Sequence, residues 1–411
     1  MQKNITSFPK EKIKILLLEG VHPSAIKLLR DKGFTSIEAI EKSLTEKELI
    51  SKIKDIHLLG IRSKTQLTSA VLNNANKLLA AGCFCIGTNQ VDLKSATEQG
   101  IAIFNSPFSN TRSVAELVIG NSIMLLRRVI EKNEAAHKGT WLKDSAGCYE
   151  VRGKTLGLIG YGHIGSQVSI LAEAMGMKII FYDVMPKLSL GNAQPAKSLE
   201  DLLKKSDVVS LHVPGTSQTK DLINSARIKK MKPGAILINL SRGDVMDVQA
   251  VKTALINNQL GGLAVDVFPA EPKSNKDRFG SPLQNIPNVI LTPHIGGSTL
   301  EAQEAIGIDV SEKLISFTNT GNSSGSLTVP DMSLPILHNA HRILHVHHNV
   351  PGVLSQINNI MSKMKVNILG QFLKTNDTIG YVVLDIDKKS SPAVMEELKK
   401  VKATIRTRSL Y

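Results

Sequence analysis

Three segments of this chain each set one functional side chain directly after an apolar run: Arg242 in ILINLSRGDVMD, Glu271 in LAVDVFPAEP and His294 in NVILTPHIGGST. A histidine exchanges protons near neutral pH, so His294 is suited to take the hydroxyl proton of a secondary alcohol that gives up hydride. A carboxylate beside it favours the protonated imidazole, which makes Glu271 its expected tuning partner. Arg242 can fork onto a substrate carboxylate and its neighbouring oxygen and so fix the carbon that loses hydride. Such segments belong at strand ends, the rim on which open α/β sheets bind ligands.

A hydride acceptor is written nearby. The stretch KTLGLIGYGHIGSQV sets Gly160, Gly162 and Gly165 as G-x-G-x-x-G after an apolar strand and at the head of a helical pattern. The first glycine permits the tight turn, the second lets a pyrophosphate approach the backbone, and the third lets helix and strand pack closely. Further on, the strand KIIFYDV ends in Asp183, whose carboxylate would accept hydrogen bonds from the adenosine ribose and repel a 2′-phosphate. The cofactor expected is therefore NAD, in preference to NADP.

The elements that must carry these residues follow from periodicity. Up to about residue 105, apolar runs such as IKILLL, IHLLGI and GIAIFN alternate with segments of helical period, the rhythm of a parallel α/β sheet. One long helix is predicted from near Asn110 to Ser113, capped within N-T-R-S and continuing to about residue 139. A second α/β series runs from Lys154 to TPHIGG, and the uncharged TGNSSGS at 320–326 reads as a flexible linker. The tail then shows a βαββαβ order.

Within that tail, HVHHNVPGVL holds three histidines in four residues. On a strand His345 and His347 project from one face and His348 from the other, so they do not converge on one ion, and no metal is expected. Asn349 stands at the strand-to-helix turn, where its side chain and free helix amides suit a carboxylate.

Bulk composition bounds the rest. The chain has 411 residues, 42% hydrophobic, with 50 Lys+Arg against 36 Asp+Glu for a net charge of +14. Its bases are scattered and aromatics make up 4%, which argues against a nucleic-acid or membrane partner and for small anionic substrates. The early run ILLL is too short for a signal segment, and Cys83, Cys85 and Cys148 read as reduced thiols, so a cytoplasmic enzyme is expected.

Taken together, GYGHIG, INLSRGDV, VDVFPAEP and TPHIGGST, with GIRSKT at 60–65, GCFCIGTNQVDL at 82–93 and SNTRSVAEL at 109–117, resemble the D-2-hydroxyacid dehydrogenases over essentially the whole chain. The resemblance implies a Rossmann NAD-binding domain at 109–296, inserted in a flavodoxin-like α/β substrate domain made of 1–108 and 297–330. It assigns the arginine, glutamate and histidine roles to Arg242, Glu271 and His294, and the aspartate near the nicotinamide to Asp266. Cofactor contacts fall on His163, Ile164, His212, Leu240, Ser241, Gly296 and Gly297. Substrate-anion contacts fall on Arg62, Ser63, Asn110 and Arg242. After a linker at 320–335, the tail at 336–411 resembles an ACT domain, with His347, Asn349 and Asn367 on effector positions. The implied activity is NAD-dependent oxidation of 3-phospho-D-glycerate to 3-phosphooxypyruvate, inhibited by L-serine, in a homotetramer. Two other readings share the motifs: reduction of a related acid such as 2-oxoglutarate, and a non-catalytic NAD(H)-sensing protein similar to corepressors of this fold.

Overall fold

The computed structural model describes residues 9–272, 276–335, 340–387 and 391–410. In chain order its strands are β1 (Ile15–Leu18), β2 (Ile37–Ile40), β3 (Leu58–Ile61), β4 (Ala80–Cys83), β5 (Ala102–Asn105), β6 (Thr155–Ile159), β7 (Lys178–Tyr182) and β8 (Gln194–Pro195), then β9 (Val208–Leu211), β10 (Ala235–Asn239), β11 (Leu260–Val265), β12 (Val289–Leu291), β13 (His341–His348), β14 (Ile368–Thr375), β15 (Ile379–Ile386) and β16 (Thr404–Leu410). Two compact units contain them: residues 110–303 form one, and those up to Ser109 together with those from Glu304 onward form the other.

The 110–303 unit is built on the parallel sheet β12-β11-β10-β9-β6-β7-β8. Chain order reverses between β6 and β9, which creates the crevice where a doubly wound sheet binds a dinucleotide. Strands β9 and β10 are buried along their whole length, as expected when helices cover both faces. The expected single helix after Asn110 is two: Thr111–Leu126 and Val129–His137, broken where Arg128 takes a left-handed φ of 51°. Asn110 stands at the N-cap without a side-chain capping bond, and Ser113 lies inside the helix with its hydroxyl 2.8 Å from that of Thr299.

The other unit carries two sheets. Its N-terminal part has the parallel order β2-β1-β3-β4-β5, and its C-terminal part the antiparallel order β14-β15-β13-β16 of a βαββαβ fold. Both faces of β15 are buried. Ile379, Tyr381 and Val383 pack with Val310, Leu314 and Phe317, while Val382, Leu384 and Ile386 pack with Ile357 and Val394 of the domain's own helices.

Residues 321–335 contain no regular element, yet they do not behave as the loose tether expected at 320–326. The Ser323 hydroxyl donates to Pro330 O at 2.7 Å and accepts from Met332 N at 3.0 Å. Leu327 N donates to Ile103 O, and the Thr328 hydroxyl donates to Ile101 O and accepts from Ile103 N, so the segment covers the outer edge of β5. The C-terminal domain also caps the preceding helix, Leu300–Thr320. Arg408 donates to Phe317 O and Thr318 O, Arg342 to Thr320 O and Tyr381 to Gly321 O. Carbonyls that a helix end leaves orphaned are thereby satisfied from β13, β15 and β16. Arg342, 0% exposed, also forks onto Asp385 at 2.7 and 2.8 Å. The expected start of the tail domain at 336 lies outside the described residues.

Candidate active site

The three chemical residues occupy loops after adjacent strands: Arg242 after β10, Glu271 after β11 and His294 after β12. Packing draws the first two loops together, since a Cβ on Gly243 would lie 2.1 Å from the Phe268 carbonyl carbon. Glycine alone fits there. Asp266, 1% exposed at the end of β11, ties down the third loop. Its Oδ1 accepts from the Thr292 hydroxyl at 2.6 Å and Ile295 N at 2.8 Å, and its Oδ2 from Gly296 N at 2.8 Å. These bonds hold His294 between them in a left-handed conformation, φ 56°, uncommon for a large side chain.

His294 Nδ1 lies 2.8 Å from Glu271 Oε2 and 3.1 Å from Oε1, and Glu271 Oε1 also accepts from Phe268 N. With Nδ1 engaged by the carboxylate, Nε2 is the ring nitrogen left to exchange a proton. The Glu271 hydrogen bond raises the His294 pKa above its ordinary value against the opposing effect of burial, and the Glu271 charge adds to the rise. Burial pushes Glu271 up, but the bonds from His294 and Phe268 N outweigh it and hold the carboxyl below its usual range. Arg242 Nη1 donates to Ser241 O at 2.6 Å, and its charge acts on both Glu271 and His294. The backbone of Leu240, Ser241 and Arg242 is shaped by Asn239, whose Oδ1 accepts from Ser241 N and Oγ and whose Nδ2 donates to Arg242 O. Asn239 and Thr292 escaped the sequence reading. The available signal was a polar residue at the very end of an apolar strand, INL and LTP.

At the switch point the glycines perform three separate tasks. Gly160 has φ 93°, and a Cβ there would lie 2.3 Å from His212 O. On Gly165 it would lie 2.2 Å from Gly160 O, whereas on Gly162 it would meet nothing within 4 Å. Gly162 therefore faces open space at the head of the helix His163–Ala174, whose N-cap has no side-chain capping bond. The first-turn amides and the helix dipole there suit a pyrophosphate, and His163 and Ile164 are the helix's first two residues. Asp183 follows β7, accepting from Tyr161 N at 2.8 Å and Met185 N at 2.9 Å. Its carboxylate is thus fixed beside the turn, where a ribose belongs. Burial lowers the His212 pKa to about 4, so its ring, 3.0 Å from the Ser210 hydroxyl, is neutral at physiological pH. These residues fit NAD. Gly297 packs on Asn110, whose Nδ2 would lie 2.4 Å from a Cβ at 297, and Gly296 serves Asp266.

The NAD-binding domain model of the D-isomer specific 2-hydroxyacid dehydrogenases matches residues 119–296, and an ACT domain model of the AHAS small subunit-like type matches 343–406. The chain is 51% identical over 408 residues to D-3-phosphoglycerate dehydrogenase of Haemophilus influenzae, covering 99% of this chain and 100% of that one. It is 52% identical over 407 residues to the Escherichia coli K12 enzyme of the same name, covering 98% and 99%. It belongs to the D-2-hydroxyacid dehydrogenase family. Among solved structures, D-2-hydroxyisocaproate dehydrogenase is similar with a TM-score of 0.69 and 28% identity, over 77% of this chain and 99% of that one. An Aquifex aeolicus D-lactate dehydrogenase complexed with NAD and lactic acid is similar with a TM-score of 0.65 and 29% identity, over 74% and 95%. This family member is an NAD-dependent dehydrogenase, and the non-catalytic sensor reading is set aside.

The remaining expected residues lie in the other unit. Arg62 and Ser63 occupy the loop after β3. His347 is buried at the end of β13 with its ring over Gly380, where a Cβ would lie 2.4 Å from Nε2, and its Nδ1 has no hydrogen-bond partner among the described residues. Asn349 follows it and donates to Asn376 O at 2.8 Å. Asn367 is not adjacent to them within one chain. It precedes Ile368, which registers with Ile386 and through it with His341, whereas His347 registers with Gly380. Six residues of strand, roughly 20 Å, separate the two ends. Histidines 345 and 347 share a face as expected, with ring centroids 5.3 Å apart, and the described residues contain no cluster that could hold a metal ion.

Proposed function

We propose that this dehydrogenase oxidises 3-phospho-D-glycerate to 3-phosphooxypyruvate as the first step of the phosphorylated route to L-serine, and that L-serine inhibits it through the ACT domain. The observation that carries the substrate is identity: the relatives that match over both units and the tail, at 51–52%, bear the name D-3-phosphoglycerate dehydrogenase. In this reading His294 Nε2 takes the C2 hydroxyl proton, and Glu271 stabilises the imidazolium that results. Arg242 orients the carboxylate and the developing carbonyl, while Arg62, Ser63 and Asn110 contact the substrate's anionic groups. When bound, NAD supplies the hydride acceptor. Formation of one NADH per 3-phosphooxypyruvate by the purified chain tests the reaction. Its failure with 3-phospho-D-glycerate alongside turnover of another acid would overturn the substrate.

The effector site requires two copies. His347 and Asn349 lie at one end of the C-terminal sheet and Asn367 at the other, and β14 is an edge strand. Antiparallel pairing of β14 with the β14 of a second copy would set the Asn367 of each beside the His347 end of its partner. Serine held there would stabilise the pair, in keeping with a cytoplasmic homotetramer. Abolished serine binding in Asn349→Ala, measured by calorimetry, is the expected result, and unchanged affinity in that variant would remove the site.

A further inference from the structure

The rim of the N-terminal sheet holds a carboxylate that the chemistry above does not use. Glu19 follows β1, is 9% exposed and has a left-handed φ of 66°, with Gly20 behind it at φ 60°. Two successive left-handed residues turn the chain sharply, an arrangement that costs energy at a non-glycine position and collects at functional sites. The side chain spends both oxygens on one loop: Oε1 accepts from Arg62 N at 3.2 Å and Thr65 N at 2.8 Å, and Oε2 from Lys64 N at 3.0 Å. From the other side, Gln90 Nε2 donates to Arg62 O at 2.6 Å and to Gly87 O at 3.2 Å.

The loop after β3 is therefore clamped on both sides of the Arg62 peptide, by residues from the loops after β1 and β4. Backbone N–H groups wrapped around a carboxylate form an anion nest, here filled by the protein's own side chain. With the amides of residues 62, 64 and 65 turned inward on Glu19, an arriving anion must be met by side chains, whose starting positions the clamp sets. A buried charge spent on three backbone amides is a costly way to hold a loop unless the loop's conformation matters.

We propose that Glu19 is a positioning residue that fixes the 62–65 loop for the substrate's anionic group; this rests on the assignment of Arg62 and Ser63 to substrate made above. It predicts a split between binding and turnover. Glu19→Gln keeps the shape but turns an N–H donor onto the loop's own donors, and should raise KM for 3-phospho-D-glycerate ~10-fold while leaving kcat within about twofold. The KM for NAD should stay unchanged. Glu19→Asp keeps the charge but is one methylene too short to reach all three amides, and should shift KM the same way by less. Arg62→Ala, assayed alongside, separates the two possible failures. Unchanged KM in Arg62→Ala removes the loop's assignment and the inference with it. A raised KM in Arg62→Ala beside wild-type KM in both Glu19 variants overturns the positioning role alone. Parallel loss of kcat, NAD affinity and Tm in the Glu19 variants would reduce Glu19 to a residue that holds the fold, and would also overturn it.

Discussion

The pairing of His294 with Glu271 gives the site a proton acceptor tuned by one short contact, 2.8 Å from Nδ1 to Oε2. His294→Ala should lower turnover ~100-fold or more, because nothing else in the triad exchanges a proton near neutrality. The sign of the Glu271 effect is set by linkage. Glu271 raises the His294 pKa, so Glu271→Gln lowers it. In the oxidative direction His294 must be neutral, and the acid limb of the pH–rate profile should move to lower pH. In the reductive direction it must be protonated, and activity should be lost from the alkaline side sooner. Superimposable profiles for the two proteins would break the pairing. At the cofactor end, Asp183→Ala should narrow the preference for NAD over NADP, as read from kcat/KM with each. The triad and Asp183 were legible in the sequence because each ends an apolar run, so strand periodicity alone put them on one rim. Thr292 and Glu19 were not, because their partners lie on loops whose proximity appears only once the strands are paired, and Asn239, which bonds two and three residues along its own loop, has in sequence only the look of a polar strand end.

Among the elements, the parallel sheets and the βαββαβ tail followed from periodicity, while three local features did not. A helix pattern running through Arg127 and Arg128 has no glycine or proline to mark its break, so the left-handed turn at Arg128 was invisible. TGNSSGS has the composition of a tether, yet Ser323 within it bonds to Pro330 and Met332, and Leu327 and Thr328 just beyond it bond along the β5 edge. Strand order names the effector residues but not their register, and the register separates Asn367 from His347 within one chain. Strand β13 also carries a testable titration. The Thr404 hydroxyl donates to Leu398 O, so it accepts from His345 Nε2–H at 2.8 Å, leaving Nδ1 buried without a partner among the described residues. Burial, then the neighbouring His347, lowers the His345 pKa from 6.5 to about 4. The unfolded chain therefore takes a proton that the fold refuses. This contribution is fully present above about 6.5 and drains away as pH falls toward 4. His345→Leu should flatten that acid limb by ~1.4 kcal/mol per pH unit across the window. Thermal melts of both proteins between pH 7 and 4 read it directly, and parallel curves would contradict it.

For the whole molecule, the continuity of the C-terminal sheet with the N-terminal core matters most. Leu344, Val346, Tyr381 and Val383 share one apolar cluster with Val310, Leu314 and Phe317, and the helix end is capped from the tail. An effector bound to the tail would thus act through packed side chains and capped carbonyls, not through a slack connection, which suits a bistable response. Removing the tail would uncover that cluster, so point substitutions at Asn349 test regulation more cleanly than truncation. The net charge of +14 accords with an anionic substrate but does not choose among 2-hydroxy acids. That choice is the central claim, and steady-state kcat/KM for NAD-dependent oxidation by the full chain, across a panel of D-2-hydroxy acids, decides it. 3-Phospho-D-glycerate should exceed D-lactate, D-2-hydroxyglutarate and D-2-hydroxyisocaproate by ~10-fold or more, a gap worth about 1.4 kcal/mol of transition-state binding. A non-phosphorylated acid turned over with equal or higher kcat/KM would contradict it.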